Sequence, residues 1–156
     1  MTARHPPIET LLGAYLDADY RWELDGDWHR MRIGSTAPQV DLAFPEATRF
    51  GLVSAWNPFS VERPEHENRA ADDALHFQLA DSHLAYRPAF SSGWDRSWRE
   101  PSWLVVGMPV QTFDTLARRF GQMGTLWWRR GEPVRLRMYA PQPLDHPGHP
   151  HVDWVE

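Results

Sequence analysis

Residues 102–108 read SWLVVGM, a short apolar run with two adjacent valines that predicts a buried β-strand. Pro109 follows, a residue that suits the first position of a helix, and apolar side chains recur at helical spacing over 110–120. Gly121 is the expected end of that helix. A strand followed directly by a helix therefore organises the second half of the chain.

The flanking segments continue this alternation. Residues 50–56, FGLVSAW, predict a buried strand, and residues 64–81 predict a helix because apolar side chains recur there in steps of three and four. Residues 84–90 read as a strand and 91–99 as a polar loop. After Gly121, residues 125–139 predict a hairpin whose strands are 125–130 and 134–139.

From residue 50 onward, the predicted order is strand, helix, strand, strand, helix, strand, as in the split βαβ or ferredoxin-like arrangement. We therefore expect an α+β fold with an antiparallel sheet and a C-terminal hairpin. Before this core we expect an added helix over 8–20, a strand over 28–33 and a brief helical turn over 38–43. We expect one domain over 1–140 and a loose tail rich in proline and histidine over 141–156.

The composition excludes several chemistries. The chain has 156 residues, no cysteine and no lysine, since all 16 basic residues are arginine. This excludes thiol nucleophiles, cysteine-ligated zinc, disulfides and Schiff-base lysines. No apolar run approaches the roughly 18 residues of a membrane span, and the first nine residues show no secretory signal. We expect a cytoplasmic protein of bacterial composition that needs no cofactor and contacts no membrane.

The charge is unevenly distributed. The net charge of −5 disfavours a general nucleic-acid binder, but residues 118–137 hold six arginines against one glutamate. With Trp127 and Trp128, this hairpin could stack the bases and bind the phosphates of a single strand. The other interpretation is a solvated face on which arginine stems cover apolar surface. Since 102–108 lacks an aromatic RNA-binding signature, nucleic acid is an unfavoured partner.

The predicted strand order has a consequence for function. In an antiparallel ferredoxin-like sheet, the turns at 55–58, 100–102 and 121–122 meet at one edge. The helix over 64–81 begins just after the first of them, which brings Glu67 and Asn68 to the same edge. Four of the nine tryptophans lie in or beside these segments, namely Trp56, Trp98, Trp103 and Trp127.

These segments also carry a resemblance. The matching pieces are Ala14-Tyr15-Leu16, Asp19-Tyr20, Arg32-Ile33-Gly34, Ser54-Ala55-Trp56-Asn57-Pro58 with Ser60, Glu67-Asn68, Glu100 to Gly107, and Arg119-Phe120-Gly121-Gln122. Over about residues 11–127, the chain resembles domain-of-unknown-function family 3293, a group of small bacterial proteins. Met123-Gly124 departs from the Asn-Ala that the resemblance implies at this turn. The resemblance implies no activity, but its motifs are those that the strand order brings together.

The candidate site follows from this cluster. Glu67 and Glu100 are the candidate catalytic residues, because two carboxylates can act as an acid–base pair or bind a cation. The candidate ligand-binding residues are polar or aromatic members of the same cluster: Trp56, Asn57, Ser60, Asn68, Ser102, Arg119 and Gln122. The competing interpretation is architectural. Asn57 and Asn68 would then hold the loops, and Arg99 or Arg119 would form an ion pair with Glu100.

The predicted function is therefore the binding of a small polar or anionic ligand in a polar pocket. The sequence does not decide whether the protein also converts this ligand chemically. The first alternative is a protein-interaction or regulatory module without catalysis. The second is single-stranded nucleic-acid binding by the arginine hairpin. Serine catalysis is disfavoured because no nucleophile-elbow pattern is present, and the histidines of 146–151 lie in the tail, so we predict no metal site.

Overall fold

The computed structural model of the protein describes residues 6–93, 95 and 97–156. Its helices are α1 (Ile8–Asp17), α2 (Pro38–Ala43), α3 (Glu65–Asp81) and α4 (Val110–Arg119). Its strands are β1 (Asp19–Leu24), β2 (Asp27–Met31), β3 (Arg49–Val53), β4 (Tyr86–Ser92), β5 (Arg99–Val106), β6 (Gly124–Arg129), β7 (Arg135–Met138) and β8 (Val152–Trp154). The α+β class is confirmed. Within the described ranges, no helix is both long and apolar enough to cross a bilayer.

All eight strands belong to one sheet, in the order β2-β1-β4-β5-β3-β6-β7-β8. Neighbouring strands are antiparallel except β7 and β8, which are parallel. Helices cover both faces, and alternating residues of β5 show this directly: Leu104 packs in the cluster beneath α1 and α2, whereas Val105 packs beneath α3 and α4. Period-two alternation thus places successive side chains in two different cores.

Strand β1 corrects the predicted N-terminal segment. The helix over 8–20 is too long, because α1 ends at Asp17 and Ala18 is already extended. Residues 19–24 instead alternate, with Tyr20 and Trp22 buried in the core, and they pair with both β2 and β4. The helical prediction extends the apolar spacing of 8–16 across this alternation, and so it misses β1, the strand next to the edge strand β2. The predicted strand over 28–33 is β2, which is shorter.

The predicted loop over 91–99 is also shorter than expected. Strand β4 extends to Ser92 and β5 begins at Arg99, so the segment 100–102 lies in a strand instead of a turn. Trp94 and Arg96, which fall within the predicted loop, lie outside the described residues. The early start of β5 matters for the site, because it places Glu100 on a fixed backbone paired with Ser91.

The C-terminal segment is not loose throughout. Residues 152–154 form β8, which extends the sheet beside β7, and the Arg135 guanidinium holds the Asp153 carboxylate through bonds of 2.8 and 2.9 Å. The predicted hairpin is present as β6 and β7, joined antiparallel with Leu126 opposite Leu136. The periodicity of 134–139 placed this strand correctly, whereas three residues of β8 were too few to be recognised.

Candidate functional site

A notch in the sheet forms where β5 continues beyond its neighbour. Strand β3 ends at Val53, opposite Trp103, whereas β5 begins four residues earlier, at Arg99. Among the described strands, residues 99–102 therefore pair with β4 alone, and their other edge has no strand partner there. The chain leaving β3 crosses this edge through residues 54–60. The three predicted segments thus do meet at one end of the sheet.

Short polar contacts join the crossing segment to β5. The Ser54 hydroxyl donates to the Pro101 carbonyl at 2.8 Å and accepts the Trp56 amide at 2.9 Å. On the opposite side, the Gln122 side-chain amide donates to the carbonyls of Trp56 and Phe120. Gln122 is buried and bonds only backbone here, so its observed contacts hold the turn.

Asn57 and Asn68 hydrogen-bond each other beside the notch, and we call these contacts the asparagine network. The Asn57 amide donates to Asn68 Oδ1 at 2.8 Å, and Asn68 Nδ2 returns a bond to Asn57 Oδ1 at 2.8 Å. Arg63 joins them, since its Nε donates to Asn68 Oδ1 at 2.6 Å and its Nη2 to the Ala55 carbonyl at 3.0 Å. Asn68 is only 2% exposed. These contacts match the architectural interpretation of both asparagines, and they order the loop that carries the site.

The same loop adopts an unusual backbone. Asn57, Phe59 and Ser60 all have positive φ, between 45° and 59°, a region that costs a side chain of order 1–3 kcal/mol per residue. The Phe59 amide is anchored by the Gly121 carbonyl at 2.6 Å. Gly121 itself has φ +66°, and a Cβ there would lie 2.8 Å from Pro58. Only glycine fits this close approach between the two turns, which explains the glycine at position 121 after α4.

Glu100 occupies the centre of the notch. Its Oε1 accepts a bond of 3.1 Å from Asn57 Nδ2, and among the described residues it forms no ion pair. Burial raises the pKa of this carboxyl above its ordinary value of 4.5, the Asn57 bond opposes the rise, and the nearby Glu62 carboxylate adds to it. The carboxyl is therefore partly desolvated without a compensating cation in the part of the chain that the structure describes.

Neither predicted ion-pair partner reaches Glu100. Arg119 lies on the far end of α4, where its Nη1 donates to Gln78 Oε1 at 2.9 Å. The Arg99 guanidinium instead lies over the Phe90 ring, 3.8 Å from the ring centroid. The structure thus separates Arg119 from the candidate site and removes the architectural reason proposed for Glu100.

A cross-strand row extends the site towards α1. Tyr20 on β1 pairs with Ser91 on β4, and Ser91 pairs with Glu100 on β5, so all three side chains lie on one face. Tyr15 on α1 contacts this row, because its backbone carbonyl accepts a hydrogen bond from the Tyr20 hydroxyl. Burial raises the pKa of Tyr15 to about 12, partly offset by a hydrogen bond from Ser60, and Glu100 raises it further. Both tyrosines are neutral neighbours of the carboxyl at physiological pH.

Two cavities open beside Glu100. The larger, of about 540 Å³, is the edge cavity and is lined by Trp56, Asn57, Ser60, Glu62, Arg63, Glu65, Asn68, Trp98, Arg99 and Glu100. The smaller, of about 150 Å³, is the tyrosine cavity and is lined by Leu11, Ala14, Tyr15, Ala18, Tyr20, Ser60, Ser91, Trp98 and Glu100. Three residues belong to both walls: Ser60, Trp98 and Glu100.

The predicted residues divide into those at the cavities and those away from them. Trp56, Asn57, Ser60, Asn68 and Glu100 line the edge cavity. Glu67 is exposed on the first turn of α3 and is not among the described lining residues. Glu65 lines the cavity, and residues two positions apart on a helix point in different directions. Ser102 lies on β5 next to Glu100 on the same face, but its hydroxyl is buried without a hydrogen-bond partner among the described residues.

Among the cavity residues, sequence reasoning missed Tyr15, Glu62, Arg63 and Glu65. Glu62 and Arg63 follow the recognised AWNP turn, and their place was decided by the left-handed residues of that turn, which no local pattern reveals. Tyr15 belongs to a recognised motif, but it was read as helical core. Trp98 was expected beside the converging segments, and it lines both cavities with 40% of its surface exposed.

The arginine hairpin lacks the surface that nucleic-acid stacking requires. Trp127 and Trp128 are 8% and 1% exposed, so neither ring can receive a base. Arg135 is paired with Asp153 and Arg137 with Asp114, while Arg130 donates to backbone carbonyls near α2. Arg135 thus joins β7 to β8, Arg137 joins β7 to α4, and Arg130 joins the hairpin to the end of α2. Over the described ranges, no cluster of three metal-ligating side chains occurs.

Comparison with known proteins supports the resemblance found in the sequence. A model of the family described as a protein of unknown function, DUF3293, matches residues 53–124. This segment spans the turn at 55–58, the Glu67-Asn68 pair, the start of β5 and the turn at 121–122, so it contains the whole notch. The pieces around 14–20 and 32–34 lie outside the match. No curated protein and no solved structure matched the chain.

Proposed function

We propose that this chain binds a small polar ligand in the edge cavity, with the Glu100 carboxyl as its principal contact. The observation that carries the proposal is the state of Glu100: a partly buried carboxyl with one neutral hydrogen bond and no cationic partner among the described residues. An acidic side chain in such surroundings is costly unless a ligand repays it. Groups of this kind concentrate at functional sites.

The charges around the cavity narrow the ligand class. Three glutamates, Glu62, Glu65 and Glu100, face two arginines, Arg63 and Arg99. Arg63 already donates to Asn68 and the Ala55 carbonyl, and Arg99 is stacked on Phe90. Glu65 is paired with Arg69 at 2.8 Å, which leaves Glu62 and Glu100 as the lining carboxylates without an ion pair among the described residues. We favour a ligand that donates hydrogen bonds, either neutral or cationic, over the anionic ligand that the composition of the cluster also allowed.

The asparagines take a supporting role in this proposal. Their mutual bonds leave the Asn57 Nδ2 group to orient Glu100 and fix the loop that closes the cavity. The rival function, an interaction module in which these residues only lock loops, accounts for Asn57 and Asn68. It does not account for Glu100, because an uncharged acceptor at position 100 would bond Asn57 Nδ2 equally well.

If the ligand is turned over, the structure favours a different acid–base pair from the one expected. Glu100 and Glu62 share the edge cavity, and Glu62 contributes to the raised pKa of Glu100. A carboxyl whose pKa is raised by burial, beside an exposed carboxyl, is an arrangement that can divide the roles of acid and base. Glu62 therefore replaces Glu67 as the second candidate beside Glu100.

A ligand screen tests the proposal. Acetamidine, imidazole, glucose, adenosine monophosphate and citrate would be compared at millimolar concentration by thermal shift, with the native protein and Glu100→Gln. We expect stabilisation by acetamidine or imidazole, an accompanying change in the fluorescence of Trp98, and loss of both effects in Glu100→Gln. Gln78→Ala, a substitution outside the cavity, should leave the response intact. Failure of every compound to stabilise the native protein would reject the proposal.

We also infer that the central strands are an elaborated split βαβ core. The order β4-β5-β3-β6, with each neighbouring pair antiparallel, supports this inference, as do the helices α3 and α4 between successive core strands. The hairpin β1–β2 extends this core beside β4, and β7 and β8 extend it beside β6. In this interpretation, the notch is built by the core and closed by the N-terminal addition, since α1 and β1 supply the tyrosines.

A further inference from the structure

The tyrosine cavity and the edge cavity adjoin at a common wall. Ser60, Trp98 and Glu100 line both, so a ligand held at Glu100 lies at the junction between them. The two compartments differ in chemistry. The edge cavity has charged walls, whereas Leu11, Ala14 and Ala18 give the tyrosine cavity a largely apolar floor.

The dimensions of the tyrosine cavity limit what can enter. Its volume is about 150 Å³, and an apolar cavity of about 150 Å³ holds one benzene ring. Tyr15 and Tyr20 line this cavity, and aromatic rings favour offset-stacked or edge-to-face contact with one another. A single flat ring therefore fits this compartment better than a branched chain or a fused ring system.

The polar groups at the junction favour a donor on that ring. The Tyr20 hydroxyl donates to the Tyr15 carbonyl, and Ser60 lines the cavity beside Tyr15. Glu100 receives only one bond among the described residues, from Asn57, and so retains acceptor capacity. A ligand N–H group would meet an acceptor there, and a positive charge would supply the partner that the carboxyl lacks.

We propose, on the basis of the function proposed above, that the ligand is a single-ring aromatic molecule bearing an N–H donor group. The ring occupies the tyrosine cavity, the donor group meets Glu100 at the junction, and any polar remainder lies in the edge cavity. The ligand class is thus that of aromatic amines, amidines and amides, not sugars or aliphatic acids. The tyrosine cavity supplies selectivity, because it distinguishes ligands that share the same polar group.

Benzamidine and acetamidine separate the two contributions, since they share an amidinium and differ by a ring. Their dissociation constants would be measured with the native protein, Ala14→Leu and Ala80→Leu. Ala14 lines the tyrosine cavity and is exposed on α1, so leucine there fills the cavity without disturbing the core. Ala80 is exposed on α3 and lines neither cavity, which makes Ala80→Leu the matched control.

We expect benzamidine to bind the native protein about tenfold more tightly than acetamidine, because the ring buries apolar surface. Ala14→Leu should remove that advantage while leaving acetamidine unchanged, and Ala80→Leu should behave as the native protein. Equal affinities for the two compounds, or an advantage that survives Ala14→Leu, would overturn the ring assignment and leave the proposed function standing. If neither compound binds while another member of the screen does, the ligand class is wrong. If nothing binds, the proposed function also fails.

Discussion

Asn68→Ala is expected to lower the free energy of unfolding by about 3 kcal/mol, equivalent to a fall in melting temperature of about 10 °C for a chain of this size. The side chain is buried and forms three short bonds, two accepted by Oδ1 and one donated by Nδ2. Alanine would leave the Asn57 amide, the Arg63 guanidinium and Asn57 Oδ1 without these partners. Urea unfolding of the two proteins measures the difference.

Gln78→Ala is the matched control for this substitution. Gln78 is also an amide on α3, but its bond goes to Arg119 on an exposed surface. We expect this change to stay within about 0.5 kcal/mol of the native protein, as exposed surface substitutions usually do. If Asn68→Ala lowered the free energy of unfolding no more than its control, the asparagine network would not be what orders the loop over the edge cavity.

Gly124→Ala is expected to cost about 2 kcal/mol, because it overpacks a rigid contact. A Cβ at 124 would lie 2.8 Å from Tyr15 Cζ and 2.9 Å from Cε2. The ring cannot simply withdraw, since its helix is tied to the sheet by the bond between the Tyr20 hydroxyl and the Tyr15 carbonyl. Glycine at 124 thus makes room for the aromatic wall shared by α1 and the tyrosine cavity.

A double-mutant cycle identifies the cause of that loss. With Tyr15→Ala in place, Gly124→Ala should be almost without further cost, giving a coupling energy of about 2 kcal/mol. Gly13→Ala serves as the control on the same helix, because an added Cβ there meets nothing within 4 Å. That control should stabilise the protein by about 0.5–1 kcal/mol. Additive costs for positions 15 and 124 would show that the ring is not the obstacle.

The core of the fold was accessible from sequence because its signals are local. The apolar run over 102–108, the spacing over 64–81 and the hairpin over 125–139 each depend on neighbouring residues. The strand β1 was not accessible in the same way. Tyr20 and Trp22 alternate over too few residues to displace the helical pattern that precedes them, and their burial depends on pairing with β2 and β4.

Sequence reasoning brought the right segments together and named five residues of the edge cavity, but it did not give the contacts of the individual side chains. Strand order brought the turn at 55–58, the start of β5 and the turn at 121–122 together, and the structure shows the contacts between them. The roles of individual side chains depend on orientation, which the spacing does not decide. Glu65 instead of Glu67 faces the cavity, and Arg119 points towards Gln78. Tyr15 reaches Glu100 only because β1 places α1 over that face.

The state of Glu100 separates a ligand-binding carboxyl from an architectural one. Since burial raises its pKa in the folded protein, the folded state favours the protonated form. This contribution to stability is fully present below the ordinary value of 4.5 and is lost as pH rises through the folded pKa. The charged groups facing Glu100 are Glu62, Glu65, Arg63 and Arg99 around the edge cavity, and the neutral Tyr15 and Tyr20 lie beneath it.

The decisive measurement is therefore the free energy of unfolding of Glu100→Gln and of the native protein from pH 4 to pH 8. Glutamine keeps an oxygen for the Asn57 bond but cannot ionise, and the groups common to both proteins cancel in the difference. We expect Glu100→Gln to be the more stable protein at pH 7, with an advantage that shrinks as pH falls and disappears below the ordinary carboxyl range. A Glu100→Gln protein that is less stable than the native one at pH 7 would show that the carboxylate holds the fold together, and would contradict its assignment to a ligand.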